Sequence, residues 1–434
     1  MHFALRLAYE ATAGLARALA TVAPDSQHKL VATFAARRGA VARFERFARE
    51  RRDATRPLLW MHAPSVGEGL QARPVLEIAS ERMPQLQRAY TWFSPSAARF
   101  GNTLGVDFAD VLPFDSASHM RRVVAALAPT ALVFSKLDVW PTLAREAAAR
   151  GVRIGLVSAT LPESSSRRSR LGAALLREAY ARLDRVGAVS AADADRLIAL
   201  GVPAARVSVT GDTRFDQVWE RARAADPQSS LLAPLASERP TVVAGSTWPE
   251  DEAVLLPAWA RVVSRHPGAR LVIAPHEPTA RHLVSVEQWA AGAGLRLARL
   301  STTGAADADV VLVDRVGVLG DLYALAAAAY VGGGFHSAGL HSVLEPAAFG
   351  VPVLFGPRHR GSRDAGLLLD ADAAARVDDI DDLADTLDRW LEFPSERQAA
   401  GASALGVVRR GLGAVERSFA LVRTLLDAGP APFG

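Results

Sequence analysis

The stretch Tyr330-Val-Gly-Gly-Gly-Phe-His-Ser-Ala-Gly-Leu-His-Ser-Val-Leu-Glu-Pro-Ala-Ala-Phe-Gly-Val-Pro-Val-Leu-Phe-Gly-Pro357 decides the reading of this 434-residue chain. It reads as a buried strand running into Gly332, Gly333 and Gly334, a loop, a short helix, and a second strand from Val351 to Phe355. The glycines let a backbone approach a ligand closely. A helix starting at Ser342 offers unpaired N–H groups and a positive dipole end, which suits a phosphate. Glu345 sits near that start, where its carboxylate can bind sugar hydroxyls. The same spacing also fits a capping box, in which Ser342 and Glu345 only tie off the helix end. His341, in the loop, and His276 fall at the ends of expected strands.

Outward from this stretch, apolar runs alternate with helical spacing along most of the chain. In the first half, strands are expected at Pro57–Met61, Ala89–Phe93, Asp110–Leu112, Ala131–Phe134, Arg153–Val157, Arg185–Val189 and Val207–Val209. In the second half they are expected at Thr241–Ala244, Leu271–Ala274, Val310–Val313, Ala328–Val331 and Val351–Leu354. Continuous apolar runs between helices imply parallel sheets covered on both faces. The rhythm breaks at Ala225-Asp-Pro-Gln-Ser-Ser230 and Glu238-Arg-Pro240, which read as a linker. The expectation is an α/β chain of two Rossmann-like, doubly wound parallel-sheet domains facing a cleft, with an N-terminal helix. The segments are 1–50, helical; 51–225, the first domain; 226–405, the second; and 406–434, a C-terminal helix. Ligands of such sheets sit at the carboxyl ends of the strands.

Composition narrows the chemistry. There is no cysteine, which excludes disulfides, thiolate metal sites and cysteine nucleophiles. The formal net charge is +4, and Lys29 and Lys136 are the only lysines. A mild excess of arginine suits anionic lipid or phosphorylated substrates. It is too dispersed for nucleic acid. Met1 to Ala23 is apolar but carries Arg6, Glu10 and Arg17, which argues against a membrane span. A helix lying on an anionic membrane surface and an ordinary packed helix both fit. Residues 24–56 read as a solvated, arginine-rich helix and linker.

The second informative stretch is Trp60-Met-His-Ala-Pro-Ser-Val-Gly-Glu-Gly69, after the first strand. Gly67 and Gly69 permit close approach, and Glu68 at the helix start can remove a proton from an attacking hydroxyl. Ser65 and Glu68 also fit a capping box. The matching turn of the second half is Gly245-Ser-Thr-Trp-Pro-Glu-Asp-Glu252. There Ser246 and Thr247 can meet a phosphate, or Thr247 can cap the helix with Glu250. No P-loop, Gly-x-Gly-x-x-Gly or His-Glu-x-x-His is present, so no metal or cofactor is expected. The triplets Asp193-Ala-Asp195, Asp307-Ala-Asp309 and Asp370-Ala-Asp372 carry little weight in a chain this rich in alanine and aspartate.

These residues resemble a family. Trp60-x-His-Ala-x-Ser-Val-Gly-Glu68, Asp138-Val-Trp-Pro141, Gly211-Asp-Thr-Arg-Phe-Asp216, Gly245-Ser-Thr247, Val331-Gly-Gly-Gly334 and Gly339-Leu-His-Ser-Val-Leu-Glu-Pro-Ala347 are similar, in this order, to the motifs of the Kdo transferases. Those enzymes move 3-deoxy-D-manno-octulosonate from CMP-Kdo to lipid A precursors. The resemblance implies a GT-B fold, inverting and metal-independent transfer, and a site at the cytoplasmic face of the bacterial inner membrane. It implies Glu68 as base, with Asp138 and Lys136 beside it and Ser65, Gly67 and Gly69 on the acceptor side. Glu345 and the loop before it, with Gly333, Gly334, His341 and Ser342, would hold the CMP-activated donor, helped by Ser246, Thr247, His276 and Arg214. The acceptor would be a lipid A precursor.

The chain departs from the family pattern in four places. Lys136 stands where the family has an acid. Pro275-His-Glu-Pro278 lacks an arginine. Ser342 replaces an asparagine, and Ser158-Ala-Thr-Leu-Pro-Glu163 lacks another arginine. These departures leave three alternatives open: a relative using another acidic sugar nucleotide, an epimerase of the same fold, and a non-catalytic paralogue in which Lys136 occupies Glu68.

Overall fold

A computed structural model describes residues 3–22, 24 and 28–429. Fourteen strands form two sheets of seven. The first holds β1 (Leu58–His62), β2 (Gln87–Trp92), β3 (Phe108–Val111), β4 (Ala131–Ser135), β5 (Arg153–Ala159), β6 (Arg185–Ala188) and β7 (Val207–Val209), in the order β3-β2-β1-β4-β5-β6-β7. The second holds β8 (Thr241–Thr247), β9 (Arg270–Pro275), β10 (Leu297–Arg299), β11 (Val310–Leu312), β12 (Ala328–Val331), β13 (Val353–Phe355) and β14 (Ala374–Arg376), in the order β10-β11-β9-β8-β12-β13-β14.

The pairings are parallel throughout. Helices cover both faces, so the central strands β1, β4, β9 and β12 are buried along their whole length. That double burial is why they read as unbroken apolar runs. Strand order turns back beside β1 and beside β8, and the first helix of each half starts there: Val66–Arg82 and Pro249–Arg265. Two edge strands, β10 and β14, have no counterpart in the sequence reading, because three half-exposed residues carry too little apolar signal.

The chain divides into two compact units, 1–216 with 412–434, and 217–411. The sequence places the break near 225 instead. The proline- and serine-rich segment after 225 does not hang free, because Leu232 and Leu235 are buried with Val243, Val272 and Val311 of the second unit. The division falls inside the Thr213–Ala224 helix. The expected long C-terminal helix is two helices, Pro394–Gly411 and Ala414–Asp427, broken at Gly413 in the left-handed region (φ 84°). Asp216 accepts the N–H groups of Gly413 (2.7 Å) and Val415 (3.1 Å) and so caps the second helix. That helix then buries Phe419, Val422 and Leu425 against Leu59, Met61 and Ala72 in the first unit's core.

The arginine-rich segment is likewise not a solvated linker. The Ala40–Glu50 helix buries Val41, Phe44 and Phe47 in the core of the first unit. Its charge is spent locally: Arg43 meets Asp110 at 2.5 Å and Glu45 pairs with Arg122 at 2.8 Å.

The Phe3–Val22 helix docks by its polar side. Tyr9 donates to Asp115 (2.7 Å). Glu10 accepts the N–H of Ala117 (3.0 Å) and pairs with Arg145 (3.0 Å), and Arg17 donates to Ser118 (2.7 Å). Leu7, Leu15 and Leu19 point outward, at 53%, 63% and 46% exposure. Residues 7, 11, 15 and 19 share one helix face, so the apolar stripe faces away from the core. Among the described residues no helix is long and apolar enough to cross a membrane.

Candidate active site

In the first unit, β1 delivers the chain to Ser65, the residue that precedes the Val66–Arg82 helix. Ser65 is extended there (φ −135°, ψ 178°) but makes no capping hydrogen bond. The capping box does not form. The Ser65 hydroxyl instead donates to Oε2 of Glu68, and Lys136 Nζ lies 3.2 Å from Oε1. Burial pushes the Glu68 carboxyl up, but the Ser65 hydroxyl and the Lys136 charge outweigh it, and the net shift is below the ordinary carboxylate value. Lys136 follows β4 in the left-handed region (φ 70°), which a non-glycine residue adopts at a cost. Its N–H is fixed to the carbonyl of Val157 (2.9 Å). The backbone is strained at the point where the ammonium group meets Glu68, as occurs at functional sites.

Asp138 is two residues further on and pairs with Arg167. Burial raises its pKa, Arg167 opposes, and Glu68 raises it again. Four charges, Glu68, Lys136, Asp138 and Arg167, thus form one connected set. Arg167 does not stand out in the sequence. Its signal was the run Ser165-Ser-Arg-Arg-Ser169, which reads as a loop. Gly67 is open to solvent on its Cα side, whereas Gly69 is not. A Cβ at Gly69 would collide with Phe100 and the Tyr90 hydroxyl, so its close approach is to the protein's own rings rather than to a ligand.

The neighbouring motif residues are structural. His62 is fully buried, accepts from Trp140 Nε1 (2.9 Å) and lies 2.9 Å from the Thr91 hydroxyl. Burial pushes its pKa down to about 3, so the ring is neutral and no proton shuttle. Asp212 takes Arg214 in a two-pronged pair (3.0 and 2.7 Å). The charge of Arg214 is therefore partnered within the first unit.

In the second unit the carboxyl ends of β8, β9 and β12 bring together Trp248, His276, His336 and His341. The Trp248 ring stacks with His336 (centroids 4.1 Å apart) and with His276 (4.6 Å), and its Nε1 donates to His341 Nε2 (3.0 Å). Burial pushes the His341 pKa down, and His276 adds to that.

Beneath this cluster the carboxylate of Asp251, completely buried, accepts four bonds. They come from the N–H groups of Trp248 (3.0 Å), Gly333 (2.7 Å) and Phe335 (3.1 Å) and from the Tyr330 hydroxyl (3.1 Å). The glycine-rich loop is therefore tied to the protein. Gly333 packs on the backbone of Gly339 and Gly334 on that of Gly356, so their missing side chains make room for neighbouring chain.

Thr247 is not a helix cap. The helix begins at Pro249, with Trp248 before it and Asp251 as its third residue. Proline's preference for the first helical position carried that signal. The Thr247 hydroxyl donates to Glu252 (2.7 Å), which also meets His282 (2.9 Å). Ser246 stands in the left-handed region (φ 55°).

The helix after the glycine loop is only Leu344–Ala348, and Ser342 lies exposed two residues before it with no capping bond. Pro346 in its first turn limits it. The phosphate-binding helix start expected at Ser342 is thus absent, as is the capping box. Glu345 is half-buried, and its carboxylate makes no hydrogen bond among the described residues. Burial raises its pKa; Arg221 lowers it and Asp321 raises it. Arg221 is itself paired with Asp321 (3.1 Å). Among the described residues no group of three or more histidine, aspartate or glutamate side chains is placed to hold a metal ion.

Comparison with known proteins fits this picture. A family model described as 3-deoxy-D-manno-octulosonic-acid transferase (kdotransferase) matches residues 32–217. The 3-deoxy-D-manno-octulosonic acid transferase of Bordetella pertussis is 32% identical over 397 residues, 86% of this chain and 90% of that protein. The enzyme of the same name from Haemophilus influenzae is 25% identical, over 85% and 87% of the two chains. In three dimensions, the UDP-GlcNAc 2-epimerase of Neisseria meningitidis bound to UDP-GlcNAc superposes with a TM-score of 0.62 at 13% identity, over 85% of this chain and all of that one. A putative UDP-N-acetylglucosamine 2-epimerase from Listeria monocytogenes gives 0.63 at 14%. At such identity these two show the shared GT-B fold alone. The Bordetella relative spans nearly the whole of both chains, and so this chain is a glycosyltransferase belonging to the 3-deoxy-D-manno-octulosonic acid transferase family.

Proposed function

We propose that this protein transfers Kdo from CMP-Kdo to a lipid A precursor, with inversion and without a metal, at the cytoplasmic face of the bacterial inner membrane. Family membership supports the reaction class. The observation that carries the site is Glu68, a half-buried carboxylate beyond the carboxyl end of β1, kept ionised by Ser65 and Lys136. In this reading Glu68 accepts the proton of the acceptor hydroxyl as the hydroxyl oxygen attacks the anomeric carbon. The bond from that carbon to the phosphate oxygen breaks, and CMP leaves with the electron pair. Lys136 must release Oε1 for the proton to arrive there. Glu345, with no hydrogen-bond partner among the described residues, takes the ribose hydroxyls of CMP. The His276, His336 and His341 cluster faces the anionic part of the donor. Leu7, Leu15 and Leu19, outside the core, rest on the membrane surface.

Transfer from CMP-Kdo to a lipid A precursor, measured with the wild type and Glu68→Gln, is the test. General base catalysis is worth about 10²–10⁴-fold, so the variant should lose activity by that factor while still binding CMP. Full activity in Glu68→Gln removes Glu68 from the mechanism. Nucleotide binding without transfer in the wild type selects the alternative in which Lys136 permanently occupies the carboxylate. Cosedimentation with anionic vesicles should be lost in Leu7→Asp/Leu15→Asp; unchanged binding would remove the stripe from the membrane contact.

A further inference from the structure

Beside the charged set of the first unit lies an open pocket of about 330 Å³. Asp138 and Arg167 form one side of it, and Val139, Trp140, Leu175 and Leu176 give it an apolar lining. Tyr9, held by Asp115, contributes a wall from the N-terminal helix. Gly172, Leu175 and Leu176 share one face of the Arg170–Ala181 helix. Leu171, one turn before Leu175, is 68% exposed. An apolar strip therefore runs from solvent into the pocket. Above it the short segment Ser166–Arg170 carries Arg167, Arg168 and Arg170. Arg168 donates only to the carbonyl of Glu163 (2.6 Å) and meets no carboxylate among the described residues, and Arg170 meets none either.

We propose that this pocket receives the apolar tail of a lipid acceptor whose anionic head is met by the 166–170 arginines. The proposal rests on the functional reading above and adds to it where the lipid part of the acceptor sits. The chemistry selects this occupant. A wholly polar sugar would leave Trp140, Leu175 and Leu176 facing water, and a free fatty chain would leave the arginines unanswered. An amphiphile with an anionic head satisfies both. The pocket also adjoins the Glu68 set through Asp138, so a tail lodged there holds a hydroxyl of the same molecule near the base. The N-terminal helix then shapes the acceptor pocket as well as the outer surface.

The direct test is calorimetry on the full chain with dodecyl phosphate below its micelle concentration, and with inorganic phosphate. Dodecyl phosphate should bind, and inorganic phosphate should bind at least about tenfold more weakly, since burial of several methylene groups is lost. Leu176→Trp fills the pocket and should weaken dodecyl phosphate by a similar factor, with a melting temperature close to wild type. Leu175→Trp provides a second filling should the first fail to fold. Equal affinity for dodecyl phosphate in wild type and filled variants overturns the proposal, as does phosphate binding as tightly as its dodecyl ester. The result does not depend on transfer: dodecyl phosphate bound in the pocket by a protein that moves no Kdo would overturn the functional reading and leave the pocket standing. Where transfer occurs, Leu176→Trp should lower kcat/KM for an acylated acceptor and leave that for its de-acylated form unchanged. Equal loss on both would count against the pocket.

Discussion

The first turn of each unit presents the same local motif with opposite outcomes. Ser65 and Trp248 both precede a 17-residue helix that follows the first strand, and Glu68 and Asp251 are the third residues of those helices. Asp251 folds back on the backbone and is consumed by three N–H groups and one hydroxyl. Glu68 takes only its own N–H from the main chain among the described residues; otherwise it meets a serine hydroxyl and a lysine on a strained residue. A carboxylate that satisfies main chain is architecture. One held by mobile side chains can exchange them for a substrate. The helix position is shared, and the partners decide the role.

The largest effect expected from this contrast is on stability. Asp251→Ala leaves four donors, two buried and two part-buried, without an acceptor and should destabilise the second unit by ~3–5 kcal/mol. Glu68→Ala frees only its own N–H at an exposed-side helix start, and Ser65 and Lys136 are free to turn to water, so its cost should stay below about 1 kcal/mol. Urea unfolding of both variants, followed by Trp fluorescence, measures the difference. Similar losses would erase the distinction drawn above.

Next in size is the donor side. If Glu345 bonds ribose hydroxyls in the second unit, Glu345→Gln should weaken CMP binding by ~1–3 kcal/mol. Glu68→Gln, in the first unit, should leave it unchanged. Calorimetry with CMP decides. Equal affinity in Glu345→Gln and wild type would show that its unpaired carboxylate does not touch the nucleotide.

Much of this arrangement was legible in the sequence. Strand β7 and strand β12 fall where the apolar runs put them, and β1, β4 and β9 lie within a residue of expectation. Buried parallel strands advertise themselves by composition. Glu68, Lys136 and Asp138 were singled out and do converge. The meaning of glycine is harder to read. Gly69, Gly333 and Gly334 signal a close approach, and each makes room for the protein's own rings or backbone; a sequence does not say which chain comes close. The cap readings failed for a related reason. Ser65-x-x-Glu68 has the spacing of a capping box, but Lys136, some seventy residues away, competes for the carboxylate. Asp251 and Arg167 escaped notice because their importance comes from partners distant in sequence.

The smallest expected effect is the sharpest probe of the contrast, because it acts only on what holds Glu68. Burial raises the Glu68 pKa, and Ser65 and Lys136 bring it below the ordinary value. Lys136→Met deletes the charge and leaves burial in place, so the carboxyl pKa must rise. A base works in its deprotonated form, and that form is lost as pH falls through the folded pKa. The acid limb of kcat against pH therefore moves to higher pH in Lys136→Met. Above that limb Glu68 is a stronger base and no longer occupied, so kcat should rise, by less than about tenfold. Stability follows the same sign. A depressed carboxylate contributes stability above its unfolded pKa that is lost on acidification, and Lys136→Met should flatten that loss. Methionine keeps the strained backbone at position 136, whereas Lys136→Gly removes charge and strain together, since glycine adopts φ near +70° freely. If both variants shift the acid limb alike, charge sets the base. If only Lys136→Gly shifts it, the backbone geometry at the end of β4 does. If neither moves it, Lys136 does not govern Glu68, and the two first turns differ less than their bonding suggests.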